Sequence, residues 1–251
     1  MADPLFEVPR LVAIYDVFDG DRGDLEVYAA MAAEFGARMV VDIGCGTGTF
    51  GCLLASRGFS VVGLDPAGAS LDVARTKPFA DQVRWLHGSV AALPALGADL
   101  VTMTGNVAQV FGSDAEWIAV LRAAFAALRP GGRLVFETRD PERRAWQSWD
   151  GGRERAEIPG VGVVEVVAEL TEVRDEYVSF RRTYTFVSDG AVLTSDSTLR
   201  FRSRASVADS LTATGFTVDE VRDAPDRPGL EMVFVARAGA LRRGASVDAH
   251  D

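Results

Sequence analysis

The sequence predicts an α/β fold: a mostly parallel sheet with helices on both faces, plus a small antiparallel β insert after the fifth strand. Three observations carry this. Short β-branched runs alternate with helical stretches between residues 38 and 138, the pattern of parallel strands joined by right-handed crossovers. A glycine-rich stretch stands between the first strand and the helix after it. Beyond residue 160 the alternation shortens to that of antiparallel strands.

The elements follow in order. Met39–Ile43 is apolar and reads as a buried strand, Thr49–Arg57 as a helix, and Phe59–Leu64 as the second strand. Ala69–Thr76 is helical before Pro78, Gln82–Leu86 is the third strand and Ala98–Met103 the fourth. Ser113 and Asp114 cap a helix to Leu128, which Arg129-Pro130-Gly131-Gly132 ends. Arg133–Thr138 is the fifth strand. Upstream, Leu5–Phe18 and Leu25–Phe35 read as two helices. Downstream, Val161–Leu170, Glu176–Val187 and Ala191–Phe201 read as three antiparallel strands, with Ser188-Asp189-Gly190 as a hairpin turn. Ser206–Thr214 is a helix, and Phe216–Val221 and Leu230–Val235 are closing strands. The resulting division is a helical entry and α/β core over 1–140, an insert over 141–204, completion of the sheet over 205–237, and a flexible tail over 238–251.

At 251 residues the chain is one large domain, or one domain with an insertion. Its net charge of −10 argues against a surface built for nucleic acid. Lys77 is the only lysine; every other basic residue is arginine, a bias spread along the whole chain. No apolar run reaches the ~20 residues that span a bilayer, so no membrane partner is expected. No secretory signal precedes the first helix, and two cysteines, Cys45 and Cys52, suit a reducing compartment. A cytoplasmic location is expected.

The most informative stretch is Val40-Val41-Asp42-Ile43-Gly44-Cys45-Gly46-Thr47-Gly48-Thr49. It joins a strand to a helix, where open α/β sheets bind ligands. Twenty-one residues beyond Gly44, Asp65 ends the second strand, placed to accept both hydroxyls of a ribose. A dinucleotide fingerprint needs Gly-x-Gly-x-x-Gly, whereas here the glycines are 44, 46 and 48. Asp42-Ile43-Gly44-Cys45-Gly46-Thr47-Gly48 resembles motif I of the class I S-adenosylmethionine-dependent methyltransferases. Asp65-Pro66, Gly88-Ser89 and Leu128–Phe136 stand in the order of that family's later motifs. The resemblance covers residues 10–140 and the two terminal strands. It implies a Rossmann-like seven-stranded sheet with a reversed last strand, and S-adenosyl-L-methionine as cofactor.

Residue by residue, the resemblance implies that Asp42 underlies the turn, while Gly44, Cys45 and Gly46 line the methionine and ribose. Asp65 would hold the ribose hydroxyls, Pro66 would flank the adenine, and Ser89 and Val90 would meet its edge. Thr104 and Gly105 would sit near the sulfonium, and Tyr15, in the pair Tyr15-Asp16, would close over the cofactor. Many members carry Asp where Ser89 stands; a hydroxyl accepts more weakly than a carboxylate.

Catalytic candidates are fewer. His250 lies in the tail and His87 on the adenine side, so no histidine base is evident. Tyr15 and Glu137 are the candidates, and Glu137 either holds a substrate amine or pairs with a neighbouring arginine. Asn106, Gln109, Arg139, Arg182 and Tyr184 are candidate substrate contacts, for which the insert supplies the selective wall. Arg182, among apolar residues of one strand face, either grips a carboxylate or phosphate or pairs with Glu165 or Glu169. Arg200, Arg202 and Arg204 read as a solvated face, with an anion surface as the other option. No set of metal ligands is apparent. The expected partner is a small-molecule methyl acceptor, with a homodimer as an option. An NAD-dependent oxidoreductase and a non-catalytic S-adenosylmethionine-binding protein are the rival readings.

Overall fold

The computed structural model describes residues 3–239. The expected tail is therefore largely outside the described residues, His250 included. Strands in chain order are β1 (Met39–Ile43), β2 (Ser60–Asp65), β3 (Val83–His87), β4 (Ala98–Met103), β5 (Leu128–Arg139), β6 (Arg153–Ile158), β7 (Gly162–Arg174), β8 (Tyr177–Phe186), β9 (Ala191–Arg200), β10 (Phe216–Asp223) and β11 (Glu231–Ala238). Helices are α1 (Pro4–Glu7), α2 (Pro9–Asp19), α3 (Asp24–Glu34), α4 (Thr49–Ser56), α5 (Gly68–Ala74), α6 (Asp114–Ala127) and α7 (Arg204–Ala213).

Seven strands form one sheet in the order β10-β11-β5-β4-β1-β2-β3, with β11 antiparallel to both its neighbours. β1 is central and entirely apolar except for Asp42. Its Val41 stands opposite Val62 on β2 and Val101 on β4. Burial on both faces explains why these strands are continuous apolar runs rather than alternating ones. One face packs Met103, Phe136 and Phe234 against Trp117, Leu121 and Leu211 of α6 and α7. The other packs Val40, Val135 and Val233 against Leu25, Tyr28, Phe50 and Leu54 of α3 and α4. Helices thus cover both faces, as the sequence predicts.

Local chemistry sets the element ends. Ser113 accepts the Glu116 N–H while Glu116 accepts the Ser113 N–H, a capping box that fixes the start of α6. The expected single helix over Leu5–Phe18 is two, because Pro9 drives Val8 to an extended conformation (φ −81°, ψ 114°). β5 begins at Leu128, not Arg133: Arg129–Gly132 join the strand through a register shift opposite Ala98 and Leu100. The last strand runs on to Ala238.

β6–β9 form a second, antiparallel sheet in chain order. It has four strands where three were expected. β6 escapes the pattern because Arg153-Glu154-Arg155-Ala156-Glu157-Ile158 is a charged edge strand with one β-branched residue. On the inner face, Val164, Val166, Tyr184 and Phe186 pack against Leu5, Leu11 and Ile14. Burying each such large side chain contributes roughly 1.5–3 kcal/mol, so α1 and α2 are firmly held to the insert. α2 also meets α5 of the core, which sets Tyr15 and Asp16 beside the glycine-rich turn.

Candidate active site

The turn after β1 is fastened internally. The Gly44 and Cys45 N–H groups both donate to the Leu64 carbonyl, at 2.8 and 3.2 Å. Gly48 N–H donates to the Cys45 carbonyl at 2.9 Å. Gly46 N–H donates to Asp65 Oδ2 at 2.8 Å, and Asp65 Oδ1 accepts the Ala67 N–H at 2.8 Å. A ligand therefore meets carbonyl oxygens and bare Cα edges here rather than these N–H groups. Gly44 is required twice over: its φ is +73°, and a Cβ would stand 2.7 Å from Val107. Gly48 answers to a different neighbour, since a Cβ there would stand 2.6 Å from the Trp85 ring.

Two carboxylates lie under the turn. Asp42 is buried and accepts from Thr102 Oγ1 at 2.8 Å; burial pushes it up to about 7 despite that bond. Burial also raises Asp65, opposed by its two N–H donors. The Cys45 thiol is buried and turns back toward Gly63. Pro66 and Ser89 are exposed, Val90 is half-buried, and the Pro66 carbonyl lies 3.0 Å from a ring nitrogen of His87.

At the end of β4, Thr104 is buried and Gly105 has φ +74°. Asn106 also adopts a left-handed conformation (φ 61°), with its N–H donating to Glu137 Oε1 at 2.7 Å and its Nδ2 to Glu231 Oε1 at 3.0 Å. Asn106 Oδ1 and Glu137 Oε2 are buried with no partner. Burial pushes Glu137 up to about 7, against the Tyr28 hydroxyl beside it and the Asn106 N–H. The expected pairing of Glu137 with an arginine does not form: its neighbours are Tyr28, Asn106 and Glu231.

The remaining candidates form a wall toward the insert. Gln109 is fully buried, and its Oε1 accepts from Arg139 Nη1 at 2.9 Å. Arg182 is half-buried on the inner face of β8, and Tyr184 beside it is core, edge-on to Phe18. The expected pairing of Arg182 with Glu165 or Glu169 does not form. Glu165 bonds Arg155 at 2.8 Å instead, because both face the outer side of the sheet. The solvated-face reading is corrected for Arg200 and Arg202, whereas Arg204 is exposed at the start of α7. Arg200 binds Glu176 and Asp114, and buried Arg202 donates to the Ala108 and Phe111 carbonyls. They tie the end of the insert to the loop after β4.

Three residues escaped the sequence reading. Arg22 binds Asp19 and Asp24 at 2.7 and 2.9 Å, and its Nη2 stands 3.9 Å from where a Cβ on Gly105 would be. Burial opposes its charge, but the bonds to Asp24 and Asp19 outweigh it and keep Arg22 protonated. Lys77 Nζ lies 2.6 Å from Asp16, 2.6 Å from Thr49 Oγ1 and 3.1 Å from Thr47 Oγ1, while Thr47 Oγ1 donates to Asp16 at 2.6 Å. Glu231 collects Asn106, Arg227 and Arg139. The lone lysine was the available signal; for Arg22 it was a basic residue inside an acidic loop.

A family model described as a methyltransferase domain matches residues 40–132, the segment that holds this turn. Over that stretch the chain is similar to methyltransferase domains. It is 30% identical over 145 residues to cypemycin N-terminal methyltransferase of a Streptomyces species, covering 56% of this chain and 59% of that protein. It is 28% identical over 189 residues to malonyl-[acyl-carrier protein] O-methyltransferase of Serratia marcescens, covering 67% and 68%. The match thus spans less than two thirds of the first relative's length. The fold is also that of a SAM-bound amino pentose methyltransferase from Micromonospora echinaspora (TM-score 0.71, 24% identity, 89% of this chain and 96% of that one).

The residues around the turn fit S-adenosylmethionine on their own chemistry. Asp65 keeps lone pairs for ribose hydroxyls after accepting two N–H groups. The orphaned Asn106 Oδ1 and Glu137 Oε2 are acceptors suited to an ammonium, and Arg22 suits a carboxylate. No helix among the described residues is long and apolar enough to cross a membrane.

Proposed function

We propose that this chain transfers a methyl group from S-adenosylmethionine to a nitrogen or oxygen of a small metabolite. The observation that carries this is the Asp65 carboxylate locked beside the Gly44–Gly48 turn by the Gly46 and Ala67 N–H groups. The cofactor supplies an electrophilic methyl on a sulfonium, and the protein supplies orientation.

In this reading Asp65 holds the ribose, Pro66 and Val90 flank the adenine, and Ser89 meets its amino edge. Gly44, Cys45 and Gly46 line the ribose and methionine, with Asp42 and Thr102 supporting them from below. Arg22 takes the methionine carboxylate, and Asn106 and Glu137 its ammonium. Thr104 and Gly105 flank the sulfonium. Burial keeps the Tyr15 hydroxyl protonated, so Tyr15 donates a hydrogen bond and covers the site rather than acting as a base. Glu137 is a positioning carboxylate, since it is buried and holds the Asn106 turn. Gln109, Arg139, Arg182 and Tyr184 line or support the acceptor side. An amine acceptor attacks as the free base and sheds its proton after transfer, so alignment matters more than a strong base.

Calorimetric titration with S-adenosylmethionine, S-adenosylhomocysteine and NAD tests the cofactor, and transfer of labelled methyl to amine and alcohol acceptors tests turnover. Binding of the first two without NAD is expected. NAD binding alone would overturn the proposal.

A further inference from the structure

Arg182 stands opposite Ala168 on β7 and Ser195 on β9, on the face of the insert turned toward α2. Among the described residues no carboxylate pairs with it. Glu165 and Asp196, on the outer face, are committed to Arg155 at 2.8 Å and Arg181 at 2.7 Å, and Asp19, near Tyr15, to Arg22 at 2.7 Å. Its guanidinium lies 5.8 Å from the centre of the Phe180 ring. Phe180 packs edge-on to Trp149 at 5.3 Å, and Trp149 in turn carries the Arg139 guanidinium 4.9 Å from its ring centre. Guanidinium, phenyl, indole and guanidinium therefore form one continuous row.

That row is costly by itself. Arg139 is largely buried, and its carboxylate neighbour Glu231 sits 3.6 Å away while Arg227 engages the same oxygen at 2.7 Å. Burial, with Arg182 and Arg227 as like-charge neighbours, brings Arg139 down to about 10. Two cations in a partly apolar wall, sharing less than one carboxylate, need a further anion.

We propose that this row is an anion subsite for the methyl acceptor: a carboxylate or phosphate on the acceptor lies between Arg182 and Arg139, with its apolar part against Trp149 and Phe180. The inference rests on the methyl-transfer reading above for the identity of the ligand as acceptor. Guanidinium forks match both oxyanions bidentately, and the aromatic faces supply the apolar contact. The charge of Arg182 also acts on the Tyr15 hydroxyl, which places the subsite next to the helix that covers the cofactor.

The probes are phenyl phosphate, benzoate and benzylamine, titrated calorimetrically into the protein with and without S-adenosylhomocysteine. The anions are expected to saturate and benzylamine not to. Arg182→Gln should weaken anion binding about tenfold or more, Arg182→Lys less, and neither should change S-adenosylhomocysteine affinity. Tighter phenyl phosphate than benzoate assigns the handle as phosphate, and the reverse as carboxylate. Benzylamine binding as tightly as the anions, no anion binding, or Arg182→Gln binding anions within about twofold of the parent would overturn the proposal. Anion binding without S-adenosylhomocysteine binding would keep the subsite and overturn the methyl-transfer reading instead.

Discussion

Across nineteen residues of chain, the Gly46 amide donates to the Asp65 carboxylate at 2.8 Å. One side chain thereby fixes the turn after β1 and presents its remaining lone pairs to a ribose. Asp65→Ala should cost on the order of 2 kcal/mol of S-adenosylhomocysteine affinity, the value of a charged hydrogen bond lost together with its N–H partners. Calorimetry on the folded variant measures it; an unchanged affinity would remove Asp65 from the ribose site.

Lys77 joins Asp16 of α2 to Thr47 and Thr49 of the turn, and it lines a cleft of about 470 Å³ between α2 and α4. Lys77→Met and Asp16→Asn should each weaken S-adenosylhomocysteine binding, and the double variant should lose less than the sum, with a coupling of roughly 0.5–3 kcal/mol. As the sole lysine, Lys77 also gives a direct chemical readout. Cofactor binding should slow its acylation, followed by mass spectrometry.

Glu137 and Asp42 are both raised to about 7 by burial. Between their ordinary values near 4 and pH 7 the folded state holds protons that the unfolded chain has released. Their contribution therefore favours folding at low pH and is lost as pH rises through that window. Glu137→Gln keeps an acceptor for the Asn106 N–H but removes the buried charge. At pH 8 it should be more stable than the parent by on the order of 2 kcal/mol, with the difference shrinking toward pH 5. Its cofactor affinity should fall. Denaturant titrations at several pH values separate the two effects.

Trp85 fills the space that Gly48 and Gly63 leave: a Cβ on Gly63 would approach its ring to 2.7 Å. Gly63 needs no unusual backbone, so the constraint is steric. Gly63→Ala should destabilise by roughly 1–3 kcal/mol, the usual cost of overpacking. In a Trp85→Leu background the same substitution should cost far less, as unfolding midpoints would report.

The core of the fold was legible because β1, β2 and β4 are mostly apolar runs, and because Gly44 and Asp65 sit at the ends of the first two. What escaped has physical reasons. β6 is a charged edge strand held by its partner β7 rather than by its own pattern. Arg202 looked solvated because alternation along a strand does not reveal that a neighbouring loop covers one face. Arg182 was expected to pair with Glu165, but the register puts the two on opposite faces. Glu231, 94 residues beyond Glu137, meets the same Asn106 only through strand order, which no local window contains.

β11 lies between β5 and β10, and its Glu231 bonds Asn106 from one of the last segments described. On the ribosome every other part of the central sheet emerges before it. Until residues 231–238 follow, β5 carries an open apolar edge through Leu134 and Phe136, the kind of edge that recruits foreign strands. Nascent chains halted before Glu231 should therefore be captured by chaperones or aggregate, whereas chains that have released β11 should fold. The binding site therefore assembles only once β11 has closed the sheet.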